Sequence, residues 1–346
     1  MLRRPSPRTV RRLALASVVA NSAIVVTGGA VRLTASGLGC PTWPRCTDST
    51  YTPTAEYAVH GVIEFGNRLL TFVLLAVVLA GTVAVWRSRP VRPGMRLLAA
   101  LVLLGIPAQA VLGGITVLTG LNPWTVMGHF LVSAGLIALA TALHQRSREG
   151  DLPPTPLVGR PLQHLGTGLL VLVGLTLVAG TVVTGSGPHS GDVAAGRTGL
   201  DAESMSQLHA DLVFLLVGVT VAFWAALKAS GAPPRAVRAM GVLLTVELAQ
   251  GVIGFAQYLT GLPVLLVGLH LVGACLIIVA AVHAVLALRD RGPLRAARAS
   301  TEPRPAAVLV DSHEQPRGRG RRPTNEDWRT SWQLPVARRR CAWCWP

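Results

Sequence analysis

Eight stretches of the chain carry almost no charge, at roughly 13–33, 58–86, 96–118, 124–144, 161–184, 204–228, 236–259 and 264–288. Each is long enough to cross a bilayer as a helix, which takes about 20 apolar residues. Arginines precede the first stretch, as they would a signal peptide. It is long, lacks a clear small-x-small cleavage site and leads into seven more spans, so it reads as helix 1. The segment Gly150-Asp-Leu-Pro-Pro-Thr-Pro156 is a linker rich in breakers. After about residue 290 the apolar period ends and Arg, Pro and polar residues take over, which predicts disorder. The expected fold is an all-α polytopic membrane protein of eight transmembrane helices.

The pattern repeats. Gln109-Ala-Val-Leu-Gly113 is followed by Leu118-Thr-Gly-Leu121 and Gly128-His129. Gln250-Gly-Val-Ile-Gly254 is followed by Leu259-Thr-Gly-Leu262 and Gly268-Leu-His270, so Gln, Thr, Gly, Leu and His recur 141 residues on (109 to 250, 129 to 270). Thr34-Ala-Ser-Gly37 is echoed more weakly by Thr184-Gly-Ser-Gly187. Two pseudo-symmetric four-helix bundles follow. Four spans per unit is even, so the halves are parallel repeats, not inverted ones. The division is a basic tail 1–12, a first half 13–144, a linker 145–160, a second half 161–288 and a disordered tail 289–346.

Composition agrees: of 346 residues, 51% are apolar and only 14% charged, less charge than a soluble domain carries. The net charge of +16 raises nucleic acid as a partner, but its distribution removes it. Arg3, Arg4, Arg8, Arg11 and Arg12 precede the first span, Arg87, Arg89, Arg92 and Arg96 lie between the second and third, and Arg146, Arg148 and Arg160 follow the fourth. Lys228, Arg235 and Arg238 follow the sixth, whereas the opposite loops hold only Arg45 and Arg197 away from helix ends. This positive-inside bias predicts a multi-pass plasma-membrane protein with both termini cytoplasmic. Beyond topology, the charge adds only attraction to anionic lipid heads. Cys40 and Cys46 fall on the outer, oxidising side, where a disulfide can form. Cys275 reads as a small apolar residue. Cys341 and Cys344 in the tail have no second pair and carry no assigned role.

Candidate chemistry rests on four histidines: His60, His129, His209 and His270. They sit near the outer, N-terminal ends of the second, fourth, sixth and eighth spans. His129 is five residues past Trp124 and His270 seven past Pro263, about two helical turns below the outer surface. A lone histidine near a helix end is usually an interfacial polar residue. Four in co-oriented helices of two repeats point instead to two bis-histidine haem sites. The positive end of a helix dipole also disfavours imidazolium, and a ligand must be neutral. His144, His164, His189, His283 and His313 receive no role.

In the second span His60, Glu64 and Arg68 share one face at i, i+4 and i+8, with Asn67 beside them. The bland account is a mutual salt bridge. The second half has no such pair, because His209 is followed by Asp211 and then Leu-Val-Phe, so the halves have diverged. Glu247 is a further intramembrane acid with no motif around it. Arg32, at the outer end of the first span, could meet a haem propionate or snorkel.

These residues resemble the haem A synthase family over about residues 13–288. Gly28-Gly-Ala-Val-Arg-Leu-Thr-Ala-Ser-Gly-Leu-Gly-Cys40-Pro-Thr-Trp-Pro-Arg-Cys46 is similar to that family's first helix end and outer loop. His60-Gly-Val-Ile-Glu64-Phe-Gly-Asn67-Arg68 is similar to the second-helix signature of its actinobacterial-type members. The resemblance implies oxidation of the C8 methyl group of haem O to a formyl group, through a hydroxymethyl stage, giving haem A for aa3-type cytochrome oxidase. It implies a haem b cofactor, its iron held by His209 and His270, and substrate haem between His60 and His129. Glu64 matches the family's essential acid and Cys40 and Cys46 its outer-loop cysteine pair, a disulfide that either accepts electrons or staples the loop, while Arg32, Asn67 and Arg68 become polar or propionate contacts. Implied partners are haem O as substrate, haem O synthase (protohaem farnesyltransferase), cytochrome oxidase assembly factors and membrane lipid, with no nucleic acid and a homo-oligomer left open. Many members have Glu-x-x-His-Arg where this chain has Asn67. Asn67 stands 142 residues before His209 and His60 stands 149 before it. Loop 185–203 also lacks the cysteines some members carry there. The competing functions are a di-haem b-type electron-transfer cytochrome and a transporter using Glu64, Arg68 and Glu247.

Overall fold

A computed structural model of the chain describes residues 4–293. It contains α1 (Pro7–Leu33), α2 (Ala58–Arg87), α3 (Pro93–Leu118), α4 (Pro123–Arg148), α5 (Arg160–Ser186), α6 (Ala202–Ala229), α7 (Pro234–Leu259) and α8 (Val264–Leu286). All eight are long and apolar enough to cross a membrane, so the chain is an all-α, multi-pass membrane protein. Proline occupies the first turn of α1, α3, α4, α5 and α7, where its missing N–H costs no hydrogen bond. Ser6, Asn122 and Asp201 cap α1, α4 and α6 through their side chains. The helices overrun the apolar stretches, α4 by four residues to Arg148, because polar residues at the ends continue the backbone ladder into the interface.

Within each half the helices pack in chain order and close into a ring, α1 against α4 and α5 against α8. The halves meet through α1, α4, α5 and α8. Ala134 and Ile137 of α4 pack with Cys275 and Ile278 of α8 at that seam, so Cys275 fills the place of a small apolar residue. Gly29 permits the approach of α1 to α8: a Cβ there would stand 2.1 Å from Leu271 Cδ2. The second half has a single large core around Phe223, Met240 and Leu243.

The repeated Thr-Gly-Leu forms the same turn twice. Gly120 and Leu121 (φ 64° and 57°) end α3, and Gly261 and Leu262 (φ 76° and 61°) end α7. The Leu121 N–H donates to the Thr116 carbonyl at 2.9 Å and the Leu262 N–H to the Gln257 carbonyl at 2.7 Å. Two successive residues with positive φ reverse the chain within a few residues, and glycine at the first lowers the cost. Each turn thereby sets the register of the helix that carries His129 or His270.

At the arginine-rich end, β1 (Thr155–Pro156) pairs antiparallel with β2 (Arg289–Asp290), and the Gly150 N–H donates to the Gly292 carbonyl at 2.9 Å. Residues 289–292, read from composition as the start of a disordered tail, instead strap onto the linker. Apolar periodicity could not detect them, since their partners are backbone groups. Cys341, Cys344 and the remainder of the expected tail lie outside the described residues.

Candidate haem-binding sites and the disulfide loop

Glu64 is held in a dense polar network at the outer end of α2. It is 6% exposed, and its Oε2 accepts the Cys40 N–H at 2.6 Å. Its Oε1 accepts from Arg68 Nε at 3.1 Å and Nη2 at 2.5 Å. The same guanidinium donates to the carbonyls of Thr42, Arg45 and Cys40 at 3.0, 3.2 and 2.9 Å. The pair therefore fastens residues 40–46 onto α2. That loop is closed by the Cys40–Cys46 disulfide, with both cysteines fully buried. Trp43 seats its indole on α3, where a Cβ at Gly114 would stand 2.4 Å from Cδ2. Gly114→Val is expected to unseat Trp43, at a cost of about 1–3 kcal/mol. Faster reduction of the disulfide, followed by thiol alkylation, measures it; an unchanged rate sinks the seating argument.

The repeated Gln, Gly and His of each half assemble into one unit. Gln109 Nε2 donates to the His129 carbonyl at 2.8 Å and to Ser133 Oγ. Gln250 Nε2 donates to the His270 carbonyl at 2.7 Å. The glycine one turn after each glutamine receives the imidazole edge. A Cβ on Gly113 would lie 3.2 Å from His129 Cε1, and one on Gly254 3.3 Å from His270 Cε1. Gly180 of α5 does the same for His209 at 3.0 Å. The His209 Nδ1–H donates to the Thr176 carbonyl at 3.1 Å, which leaves Nε2 with its lone pair free for a metal. The Nδ1 atoms of His129 and His270 are buried without a hydrogen-bond partner. The donor set of the second half therefore fits a bis-histidine haem.

The first half is built differently. Asn67 packs beside Gly28 of α1, 3.8 Å from a Cβ there, and its Oδ1 accepts from Thr27 Oγ1 at 2.7 Å. It thus stands against α1 as His209 stands against α5. His60 lies seven residues earlier on α2, about 10 Å farther out along the helix axis. It is exposed, and its Nδ1 pairs with Ser36 Oγ at 2.9 Å. Arg32 ties the halves together, donating to the carbonyls of Thr184 at 2.7 Å and of His189. Glu247 is 2% exposed and accepts from Thr220 Oγ1 at 3.0 Å. Val78 and Ile106 fill the corresponding places of the first half. Among the described residues no three His, Cys, Asp or Glu side chains gather as a metal cage.

Residues 11–189 match the COX15-CtaA family model, cytochrome oxidase assembly protein, and so take in all four helices of the first half, the disulfide loop, Glu64 and α5. The chain belongs to this family. It is similar to the heme A synthase of Lysinibacillus sphaericus, 29% identical over 181 residues, covering 51% of this chain and 58% of that protein. It is also similar to the heme A synthases of Bacillus pumilus, 31% identical over 46% of this chain and 54% of that one, and of a Methylobacterium species, 31% over 40% and 41%. The chain spans about half the length of the curated relatives it matches. The family match stops at His189, so His209 and His270 connect to the family region through the internal repeat.

Sequence reasoning missed Gln109, Gly113, Gly180, Gly254, Thr176 and Trp43. The glutamine and the glycine four residues later stood in both copies of the repeat. That recurrence at one-turn spacing, ahead of a conserved offset to histidine, was the available signal.

Proposed function

We propose that this chain is a haem A synthase, oxidising the C8 methyl group of haem O to a formyl group to make haem A for an aa3-type cytochrome oxidase. The observation that carries this is an asymmetry within a duplicated architecture. Both halves hold an imidazole over a glycine notch, but among the described residues only the first half adds a buried acid paired with an arginine and a disulfide loop. A site that merely holds a macrocycle needs the former; one that also performs chemistry needs groups of the latter kind.

In this reading His209 and His270 hold a haem b, which supplies one-electron chemistry when bound. His129, with His60 nearer the surface, frames the substrate haem. Glu64 is a proton-holding group at the edge of that site, oriented by Arg68 and by the Cys40 amide. The disulfide loop covers the site and keeps bulk water from the acid. Arg32, already engaged with two carbonyls, serves as a brace more than as a propionate ligand. The arginine distribution supports cytoplasmic termini in the plasma membrane, which places the disulfide loop outside. Haem O synthase would then supply the substrate, and oxidase assembly would take the product; a homo-oligomer is compatible with the free flanks of α2, α3, α6 and α7.

The test is production of haem A by the full chain in a host that makes haem O and lacks its own haem A synthase. Extracted haem should include haem A. If only haem O is recovered while the purified protein carries b-type haem, the chain is an electron-transfer cytochrome instead. A colourless protein would favour the transporter.

A further inference from the structure

The arginine-rich end of the molecule holds a feature that the haem chemistry does not use. A cavity of about 330 Å³ opens between the end of α4 in the first half and residues of α7, α8 and β2 in the second; Arg148, Arg235, Arg289 and His283 line it together with the carboxylates of Glu149 and Asp290 and the apolar Leu286. The strap formed by β1 and β2 holds Arg289 in place.

The charges around the cavity do not balance. Glu149 is shared among Arg146 at 2.9 Å and Arg289 and Arg291 at 3.6 Å. Asp290 pairs with Arg235 at 3.4 Å, and Asp151 with Arg92 at 2.5 Å. Three carboxylates thus serve five arginines, and Arg148 makes a sixth, with no carboxylate in ion-pair reach among the described residues. Arg289 Nε is buried without a hydrogen-bond partner. Burial first, then the neighbouring Arg146 and Arg289, hold the Arg291 guanidinium below its ordinary value. Positive charge crowded in this way is relieved by an anion.

We propose that this cavity binds the phosphate of an anionic phospholipid headgroup. Guanidinium forks match phosphate oxygens in pairs. The cavity sits where helix ends leave the apolar slab, the depth at which lipid phosphates lie, and Leu286 offers apolar surface to the glycerol and first acyl carbons. Basic pockets between membrane helices at this depth take such headgroups. The lipid bridges the two halves, with Arg148 reaching it from one and Arg235 and Arg289 from the other. The inference is independent of haem and of the catalytic reading.

Native mass spectrometry of the full chain in detergent, with phosphatidylglycerol, phosphatidylcholine or inorganic phosphate added, tests it. Phosphatidylglycerol should be retained and phosphatidylcholine lost. The Arg148→Gln, Arg235→Gln double variant should bind phosphatidylglycerol about tenfold more weakly or worse, and Arg148→Lys should restore part of it. Both residues are exposed and their loss should leave the thermal unfolding midpoint in phosphatidylcholine unchanged; Arg148→Gln alone, which breaks no ion pair, guards against a folding artefact. Equal retention of the two lipids, or wild-type retention by the double variant, overturns the proposal. Full displacement of the lipid by millimolar inorganic phosphate also overturns it, assigning the cavity to a soluble phosphate.

Discussion

Glu64→Ala is expected to abolish haem A formation and to loosen the loop that carries Cys40 and Cys46. The two effects share a cause. Among the described residues the carboxylate is the sole acceptor of the Cys40 N–H, and it is the counter-ion of Arg68. Breaking a buried ion pair by removing one partner costs about 3–5 kcal/mol. Here the cost falls at the lower end, because Arg68 keeps three backbone carbonyls. Glu64→Gln separates the roles, since its amide oxygen can still accept from Cys40 while the negative charge is gone. If Glu64 acts in the chemistry, Glu64→Gln should speed reduction of the disulfide less than Glu64→Ala does, yet make at least about a hundredfold less haem A. Haem extraction and timed thiol alkylation read the two outcomes. Normal haem A from Glu64→Ala would remove the acid from the mechanism altogether.

His270→Ala should strip most of the b-type haem from the purified protein, and His60→Ala should not. The His270 imidazole edge lies over Gly254, and its backbone carbonyl accepts from Gln250 Nε2. His209 alone would leave the iron with one protein ligand. Gln250→Ala should act in the same direction but less severely, about 10–100-fold in haem retention, as loss of a group that orients a ligand usually does. Difference spectra of reduced and oxidised protein at equal concentration measure all three. A bis-histidine spectrum in purified His270→Ala would show that the second-half ligands are elsewhere.

The eight spans and the duplication were legible because lipid imposes long uncharged runs and because Gln, Gly, Thr-Gly-Leu and His kept a fixed spacing. Glu64, Arg68 and Asn67 could be placed on one helix face from spacing alone. What they touch could not, since the Cys40 amide and the carbonyls of Thr42 and Arg45 are backbone groups with no residue signature. The relation of His60 to Asn67 shows the same limit. Spacing placed Asn67 opposite His209 in the repeat, but only packing against Gly28 and Thr27 says which wall of the first half it lines. The strap of residues 289–292 was hidden for the opposite reason, because its sequence looks like tail. Glu247 remained unexplained by motif and is accommodated by one hydroxyl, Thr220, at a position that the first half fills with Val78 and Ile106.

The seam between the halves has a kinetic corollary. Because α1, α4, α5 and α8 are consumed in joining the rings, the two flanks left facing lipid, α2 with α3 and α6 with α7, point away from one another. If haems occupy both halves as proposed, a tailed macrocycle leaving across one flank need not disturb a macrocycle held behind the other. Turnover on one side and permanent tenancy on the other can then coexist in a single polypeptide.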